Sequence, residues 1–451
     1  MAIINLNILF RMVTVSSGIK KEVKKLMRKV QITDPRQEWK VKYPLLPTLF
    51  GIFFSWINGA NSAVAVADYW YNHLPYLKKV IPNFPDECIS HDTIRRLLCL
   101  IEFKNLQEFL MEFCNAYAQA YGDELTAGVI KRILSLDGQA VRAMTYEPKL
   151  DRDGKPIKDA RTFDRDYYVT LYDSTCKITL AQDDVKDKEN ENKACARLIK
   201  LFDLTGALVT VDALNTQESV CTAIIEQNGD YCFALKNNHK TLANKVKDAF
   251  DKAECGEDFS DMLVVYTSDV EIGHGRVERR IVKALPAEAV KNRYLGKFAD
   301  TVKVFFKSIT EVYDKKYQVE EAPIERYFIS SLEPDIVENI AELGYKAIRG
   351  HWHIENNLHW CLDVLLQQDH MQMKSGNYAL NKVYLNKISL NILEVLQPMM
   401  SRPSEVMSNS RILKKLSYKP ELGLLAFIKF MTHQDFDISP FVRPVKTRKK
   451  K

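Results

Sequence analysis

The pattern of hydrophobic and polar residues divides the chain into helical and strand-forming stretches. Up to about residue 125, hydrophobic residues recur at helical spacing, as in the basic, amphipathic stretch 19–29 and in the run that follows Asp92. From about residue 126 the pattern changes. Short runs rich in β-branched, leucine and aromatic residues predict strands within 130–136, 166–173 and 176–182, and an Asp-Ser-Thr turn separates the last two.

Helix and strand patterns alternate in the next part of the chain. The segment ENKACARLIKLFDL has helical spacing and stops at Gly206, a residue type that often follows a helix end. ALVTVDA is typical of a short buried strand, and a helix closed by Gly229 and the strand DYCFAL follow it. These elements predict an α/β fold in which helices cover a mixed sheet.

After Lys236 the regular alternation stops for roughly a hundred residues. Four strand-like runs begin at about residues 262, 276, 301 and 326, and helical spacing returns over 337–366. We therefore divide the chain into five parts. They are a helical N-terminal domain (1–125), a first core part (126–240), a β-rich segment (241–334), a second core part (335–400) and a C-terminal segment (401–451).

One uncharged stretch, between Lys42 and Asp68, resembles a membrane span in composition. Prolines, glycines and asparagines interrupt it, so a buried helix, a turn at NGAN and a second helix are favoured over a span. No membrane partner is expected. The first residues lack the basic start and the cleavage site of a signal peptide. Nine cysteines occur singly, without a C-x-x-C pair, which is typical of a reducing cytoplasm.

Composition adds little to this interpretation. The 451 residues, 46% of them hydrophobic, are enough for two or three domains with a large core. The formal net charge of +6 permits a polyanionic partner but does not by itself indicate one. No Gly-rich phosphate loop of the Walker type occurs, so ATP is not expected as a substrate.

Three acidic residues are the strongest candidates for chemistry. Asp137 and Asp212 each follow a short hydrophobic run, and Glu355 lies in a polar-aromatic helical stretch. Two carboxylates at strand ends and one on a helix can hold a pair of divalent ions that activate water or a hydroxyl against a phosphodiester. Taken alone, Asp137-Gly138 is also typical of a turn, and Asp212 of a cap or turn residue.

The helix that carries Glu355 has an alternative interpretation as a zinc site, because His351 and His359 lie four residues to either side of it. Two helical turns separate these histidines, which places them about 12 Å apart and argues against a shared zinc ion. Trp352 and Trp360 are expected to pack in the core rather than to stack on bases.

Several motifs, in their order along the chain, resemble the DDE transposases of bacterial insertion sequences, in the branch of the H-repeat-associated proteins. They are TDPRQEWKVKYPL, SHDTIRRLL, LDGQAVRAM, ALVTVDALNTQ, DYCFALKNN, GHGRVERR, RYFISSL and IRGHWHIENNLHWCLDV. The resemblance implies a ribonuclease-H-like core in which Asp137, Asp212 and Glu355 bind two Mg²⁺ ions, with Mn²⁺ able to substitute. It also implies a β-rich insertion between the last core strand and the glutamate helix.

The implied activity is cleavage at transposon ends followed by strand transfer, with the terminal inverted repeats and target DNA as partners. A catalytically silent DNA-binding relic and a nuclease without strand transfer remain alternatives, and association of several copies on DNA stays open. The expected location is the bacterial cytoplasm, at the nucleoid during the reaction. Candidates for end recognition are the helices up to residue 125, with Lys20, Lys21, Arg95 and Arg96.

The glutamate helix departs from a sister group of transposases. That group has a tyrosine, an arginine and a lysine where this chain has Ile348, His351 and Leu362. We therefore expect Arg349 or His351 to have the role of that arginine. The basic tail 443–451 is a further candidate for phosphate contacts. The DNA-binding candidates around the acidic residues are Arg142, Lys236, Arg276, Arg279, Arg349 and His351.

Overall fold

The computed structural model describes residues 20–28, 32–121, 129–185, 191–273, 275–316, 318–368, 377–401 and 405–432. The chain forms two compact units. The helical unit comprises the described parts of Met1–Ala120, Val141–Arg165 and Trp360–Lys451, and the sheet unit comprises those of Tyr121–Ala140 and Asp166–His359. The basic tail 443–451 lies outside the described residues.

Thirteen α-helices occur in the described ranges. They are α1 (20–28), α2 (Leu45–Ile57), α3 (Ala63–Val80), α4 (His91–Leu100), α5 (Phe103–Tyr121), α6 (Glu191–Ile199), α7 (Glu218–Glu226), α8 (Lys240–Glu254), α9 (Asn292–Leu295), α10 (Ile340–His353), α11 (Tyr378–Met400), α12 (Asn409–Tyr418) and α13 (Pro420–Thr432). None of them combines the length and apolar character that crossing a membrane requires.

Eleven strands occur in the same ranges. They are β1 (Arg132–Leu150), β2 (Pro156–Asp173), β3 (Ile178–Val185), β4 (Ala207–Val211), β5 (Asp230–Leu235), β6 (Val264–Thr267), β7 (Glu271–Gly273), β8 (Arg276–Pro286), β9 (Val304–Asp314), β10 (Val319–Glu320) and β11 (Ile324–Ser330).

All these strands belong to one mixed sheet. Its order is β3-β2-β1-β4-β5-β11-β9-β8-β6, with β10 paired to β9 and β7 paired to β8. The central strands β1, β4 and β5 are parallel, whereas β11, β9 and β8 pair antiparallel to their neighbours. The strand-like runs predicted after Lys236 therefore exist, and they extend the same sheet through the pairing of β11 with β5.

The helix α10 packs on one face of this sheet. Its apolar residues join a core with side chains of β8, β9 and β11, among them Ala347 on the helix and Phe306 and Phe328 on the strands. A Cβ atom added to Gly350 would lie 2.8 Å from the Ile133 side chain, closer than side chains pack. Glycine at this position therefore lets the helix approach β1 closely, which brings the segment that follows the helix toward the end of the parallel strands.

The helical unit has α11 at its centre, and most of that helix is buried. The stretch that resembled a membrane span forms the buried helix α2 and, after the turn at NGAN, the helix α3, as predicted. The Trp56 indole of α2 donates a hydrogen bond to Asn386 Oδ1 at 2.8 Å. Asn381 donates to the carbonyl groups of Leu98 and Ile101. Buried amides of α11 thus connect it to its neighbours.

Candidate functional site

Asp137 and Asp212 occupy neighbouring positions at the end of the parallel pairing between β1 and β4. The last paired residues are Leu136 and Val211, and each is followed directly by one of the two aspartates. Paired strands lie about 4.8 Å apart, so the two carboxylates lie next to each other at the point where the parallel pairing of β1 and β4 ends. Asp137-Gly138 is not a turn, because β1 continues to Leu150.

Glu355 lies beyond the last residue of α10, in a π-helical segment, Ile354–His359. The helix therefore does not continue with regular α spacing through Glu355, in contrast to the prediction. Widened helical turns of this kind are rare in proteins, and many of those that occur lie at functional sites. Glu355 is exposed, and with Asp212, Lys236 and His351 it lines a cavity of about 130 Å³. The structure thus brings the three predicted acids to one side of the sheet.

The electrostatics of Asp137 reflect this crowding of acids. Burial raises the pKa of its carboxyl group to about 7, and the 2.8 Å hydrogen bond from the Gly138 amide opposes that shift. The negative charges of Glu355, Asp212 and Glu191 add to the effect of burial and are part of this shift. Asp137 is therefore surrounded by like charges, an arrangement that a cation would relieve.

Asp212 has the opposite shift. Lys236 Nζ lies 3.1 Å from Asp212 Oδ1, which confirms that the lysine at the end of β5 points toward the same edge of the sheet. Burial acts to raise the pKa of Asp212, but the hydrogen bond and charge of Lys236, together with the hydrogen bond from the Ala213 amide, outweigh it, so the pKa is lowered. The ammonium group thus supplies a positive charge at the oxygen that a metal ion would use.

Two residues near Asp137 were not predicted to lie there. His359 Nδ1 is 3.6 Å from Asp137 Oδ2. Glu191, at the first described position of α6, packs against Gly138, and its carboxyl atoms lie 3.1 Å from where a Cβ would be. The sequence placed both in helical stretches, but only the pairing of β1 and the π-helical winding bring them to the acids.

His351 contacts the sheet rather than open solvent. Its Nδ1 lies 3.1 Å from Thr210 Oγ1, and that hydroxyl also lies 3.0 Å from Ser135 Oγ. Burial lowers the pKa of His351 to about 4, so the imidazole is neutral at pH 7. These contacts attach the helix that precedes Glu355 to β4, two residues before Asp212.

The other predicted DNA-binding residues have different surroundings. Arg349 donates to Glu271 at 3.0 Å, and Arg279 to Glu311 at 2.6 Å. Arg276 lies 3.7 Å from Glu321 and is half-exposed. Arg142 lies in β1, and its side chain is outside the described residues. Ion pairs within the chain thus neutralise the three arginines whose side chains the structure describes.

The expectation that Trp352 and Trp360 pack in the core is wrong. Their side chains are 40% and 59% exposed. Both lie close in sequence to Glu355, on a helical stretch in which buried residues such as Ile354 and Leu358 supply the packing. The structure therefore leaves both indole rings accessible to a ligand.

The donors at this site are of a kind that suits a hard cation. Carboxylate oxygens are the ligands that Mg²⁺ prefers. Within the described part of the chain, no three His, Cys, Asp or Glu side chains are placed to hold one ion together. Asp137 and Asp212 are adjacent, and Glu355 faces the same cavity as Asp212.

Comparisons with known proteins match most of the chain to one family. The model described as "Transposase DDE domain" matches residues 130–392, a range that contains all three acids. A second model, described as "DDE_Tnp_1-associated", matches residues 30–114. The chain belongs to the DDE transposase family.

The similar proteins of this family confirm the H-repeat branch. The chain is 29% identical over 377 residues to the "H repeat-associated putative transposase YhhI" of Escherichia coli, covering 82% of this chain and 91% of that protein. It is equally similar to the "Putative protein YbfL" of the same organism. A "Putative transposase YncI" of E. coli O157:H7 is 29% identical over 80% of this chain and 85% of its own length.

One similar solved structure is that of the piggyBac transposase synaptic complex with hairpin DNA. It is 11% identical, covers 91% of this chain and 78% of that chain, and has a TM-score of 0.37. This degree of similarity carries no argument about the site.

Proposed function

We propose that this DDE transposase cleaves DNA at the ends of its own insertion sequence and transfers the freed strand to target DNA, with Asp137, Asp212 and Glu355 as its metal-binding acids. The observation that carries the proposal is the placement of Asp137 and Asp212 after paired residues of parallel strands, with Glu355 lining the same cavity as Asp212. Carboxyl ends of parallel strands are where ligands bind in open α/β sheets.

The strand order supports a ribonuclease-H-like core. The order β3-β2-β1-β4-β5, with β1, β4 and β5 parallel and β2 antiparallel to β3, suits that fold, and the helices α6, α7 and α10 accompany it. In this interpretation β6 to β11 are the β-rich insertion, and they extend the core sheet beyond β5.

Mg²⁺ is the cofactor of this proposal, with Mn²⁺ as a substitute and two ions expected. When bound, such ions activate an oxygen nucleophile and neutralise charge on the phosphate. The chain contributes anionic oxygens from Asp137, Asp212 and Glu355. His359 contacts Asp137 and is suited to orient that carboxylate. Lys236, which now lies on Asp212, is free to move its flexible ammonium to a phosphate oxygen when a cation takes its place.

The substrate is DNA, and the helical N-terminal part is the proposed reader of the transposon end. Lys20, Lys21, Arg95 and Arg96 are exposed there, which suits phosphate contacts. The division of the chain into five parts, with boundaries near residues 125, 240, 334 and 400, belongs to the same proposal. Asn386 accepts a hydrogen bond from α2 and Asn381 donates one to α4, so α11 is connected to both helices and end binding is best tested on the full chain.

The experiment uses the purified full chain and a supercoiled plasmid that carries the gene with its flanking inverted repeats. We expect cleavage at the repeat ends in Mg²⁺ or Mn²⁺, no cleavage in EDTA, and joined products when target DNA is added. End binding without cleavage in any divalent metal would support the silent relic instead. Cleavage at the ends without joined products would support a nuclease.

A further inference from the structure

A groove extends from the candidate acids across the outer strands of the sheet unit. The cavity that contains Asp212 and Glu355 borders a second cavity of about 210 Å³, which Arg276, Arg280 and Thr310 line. Both cavities share three wall residues, Arg326 of β11 and Ile348 and Trp352 of α10. The two cavities are therefore parts of one groove that leads away from the acids.

The floor of this groove is one face of the sheet. Alternate residues of β8 and β9 face it, for example Arg276, Glu278 and Arg280 on β8 and Ser308 and Thr310 on β9. Arg279 and Glu311, which lie between these positions, pair with each other at 2.6 Å and face the other side. The groove floor is thus polar, and its side chains are set by the strand pairing.

Most cations in the groove already have carboxylate partners. Arg280 pairs with Glu278 and with Glu271, and Arg349 pairs with the same Glu271 at 3.0 Å. These pairs connect β8, β7 and α10, so they hold the groove together and leave little net charge for a ligand.

Arg326 is different. It is exposed and forms no ion pair with any residue that the structure describes. Its guanidinium carbon lies 5.8 Å from the centre of the Trp352 ring, within the range of a cation–π contact. Such a contact orients the planar group while leaving its N–H donors available, and a guanidinium with free donors binds phosphate oxygens in a bidentate manner.

We infer that Arg326 binds a backbone phosphate of the DNA strand that runs from the cleavage site into the groove, and that Trp352 orients the arginine for this contact. The inference deepens the proposed function and rests on it. Arg326, Trp352 and Glu355 line the same cavity, so the contacted phosphate lies close to the cleaved bond.

The inference is tested by DNA binding without metal, so that the readout does not depend on catalysis. The probe is a fluorescent duplex of the terminal inverted repeat that flanks the gene, titrated in EDTA at several salt concentrations. Arg326→Ala is expected to weaken binding about tenfold and to reduce the salt slope by about one. Trp352→Leu should weaken binding less, and its effect should disappear in the Arg326→Ala background because the two residues act together.

The matched control is Arg197→Ala. Arg197 is an exposed arginine of the same unit, lies outside the groove and pairs with Asp183 at 2.6 Å. The Arg197→Ala variant should bind the duplex with an affinity within twofold of that of the wild type. Thermal melting of each variant checks that the chain still folds.

Probes with one neutral methylphosphonate locate the contact. Neutralising one phosphate close to the cleavage position should weaken wild-type binding as much as Arg326→Ala does. The Arg326→Ala variant should be insensitive to that modification. The inference would be overturned if Arg326→Ala bound the duplex with the same affinity and the same salt slope as the wild type. Failure of the wild type to bind the repeat would instead count against the proposed function.

Discussion

The end of the parallel strands in the sheet unit and the central helix of the helical unit both hold polar groups, but they satisfy them in different ways. At the strand ends, Asp137 lies near Asp212, Glu355 and Glu191, and burial with these charges raises the pKa of Asp137 to about 7. In α11, buried amides such as Asn381 and Asn386 bond to neutral partners within the unit. Like charges that repel each other suit the proposed cation, whereas amides that hydrogen-bond to neutral groups of neighbouring helices suit a structural role.

The largest effect is expected at Glu355, the helical acid that lies near the strand ends. Glu355→Gln keeps the size of the side chain but replaces an anionic oxygen with an amide that binds hard cations poorly. DNA cleavage in Mg²⁺ should fall by more than about 100-fold, beyond the loss typical of residues that only support a ligand. End binding in EDTA and the melting temperature should stay near wild type.

Near wild-type cleavage by Glu355→Gln would place the third acid elsewhere. Asp363 would then be the first residue to test, and Asp369, which lies outside the described residues, the second.

The next effect concerns Lys387, a buried cation in α11. Lys387 is fully buried, and burial lowers the pKa of its amine to about 7. The folded protein releases this proton above pH 7, whereas the unfolded chain keeps it to about pH 10.4, so wild-type stability rises with pH between these values. Lys387→Met should therefore be more stable than wild type by on the order of a few kcal/mol below pH 7.

The advantage of Lys387→Met should shrink toward about pH 10, where the lysine is neutral in both states. Melting temperatures at several pH values measure it. A gain that stays constant with pH would show that the substitution acts through packing and not through charge.

A smaller loss of stability is expected when a neutral bond of α11 is removed. Asn386→Ala leaves the buried Trp56 indole without its acceptor, which costs about 1–3 kcal/mol. The midpoint of urea unfolding should decrease at all pH values. Asn386→Asp is the informative companion, because it keeps an acceptor but buries a charge, and it should be the less stable of the two at high pH.

The smallest effect is expected at His359, which contacts Asp137 but is not assigned to the metal. His359→Gln should reduce cleavage about tenfold, as is typical of a residue that orients a ligand. The dependence of the rate on Mg²⁺ concentration should shift while binding of the end duplex in EDTA does not. A loss as large as that of Glu355→Gln would contradict this assignment.

The local parts of the fold could be predicted from the sequence. The run ALVTV forms β4 and is followed directly by Asp212, and DYCFAL forms β5, which is followed by Lys236 on the same side of the sheet. In both segments a short hydrophobic run is followed by a polar residue, and this local pattern determines where the strand ends.

What could not be predicted depends on contacts between distant residues. The strands after Lys236 were recognisable one by one, but the pairing of β11 with β5 joins residues about a hundred positions apart. The π-helical winding at Glu355 leaves no signature in the hydrophobic pattern, because the apolar spacing of α10 continues into it. The proximity of His359 and Glu191 to Asp137 follows from these long-range features.

The arginines also show that contacts between distant residues cannot be predicted from the sequence. Arg276, Arg279 and Arg349 stood out by their charge, yet each lies beside a glutamate from another element. Arg326 did not stand out, because it lies within the strand run RYFISSL. Whether a cation is available to a ligand depends on its partners, and a sequence does not show those directly.

The continuity of the sheet bears on how such a protein can diverge during evolution. Because β11 pairs with β5, and β5 with β4, backbone hydrogen bonds set the lateral distance between β11 and β4, the strand before Asp212, at two strand spacings. Side chains on the groove face of β8, β9 and β11 can therefore be exchanged without displacing the acids. Under the proposed function, single substitutions on one strand face can thus change the contacts with DNA near the cleavage site, while Asp137, Asp212 and Glu355 keep their places.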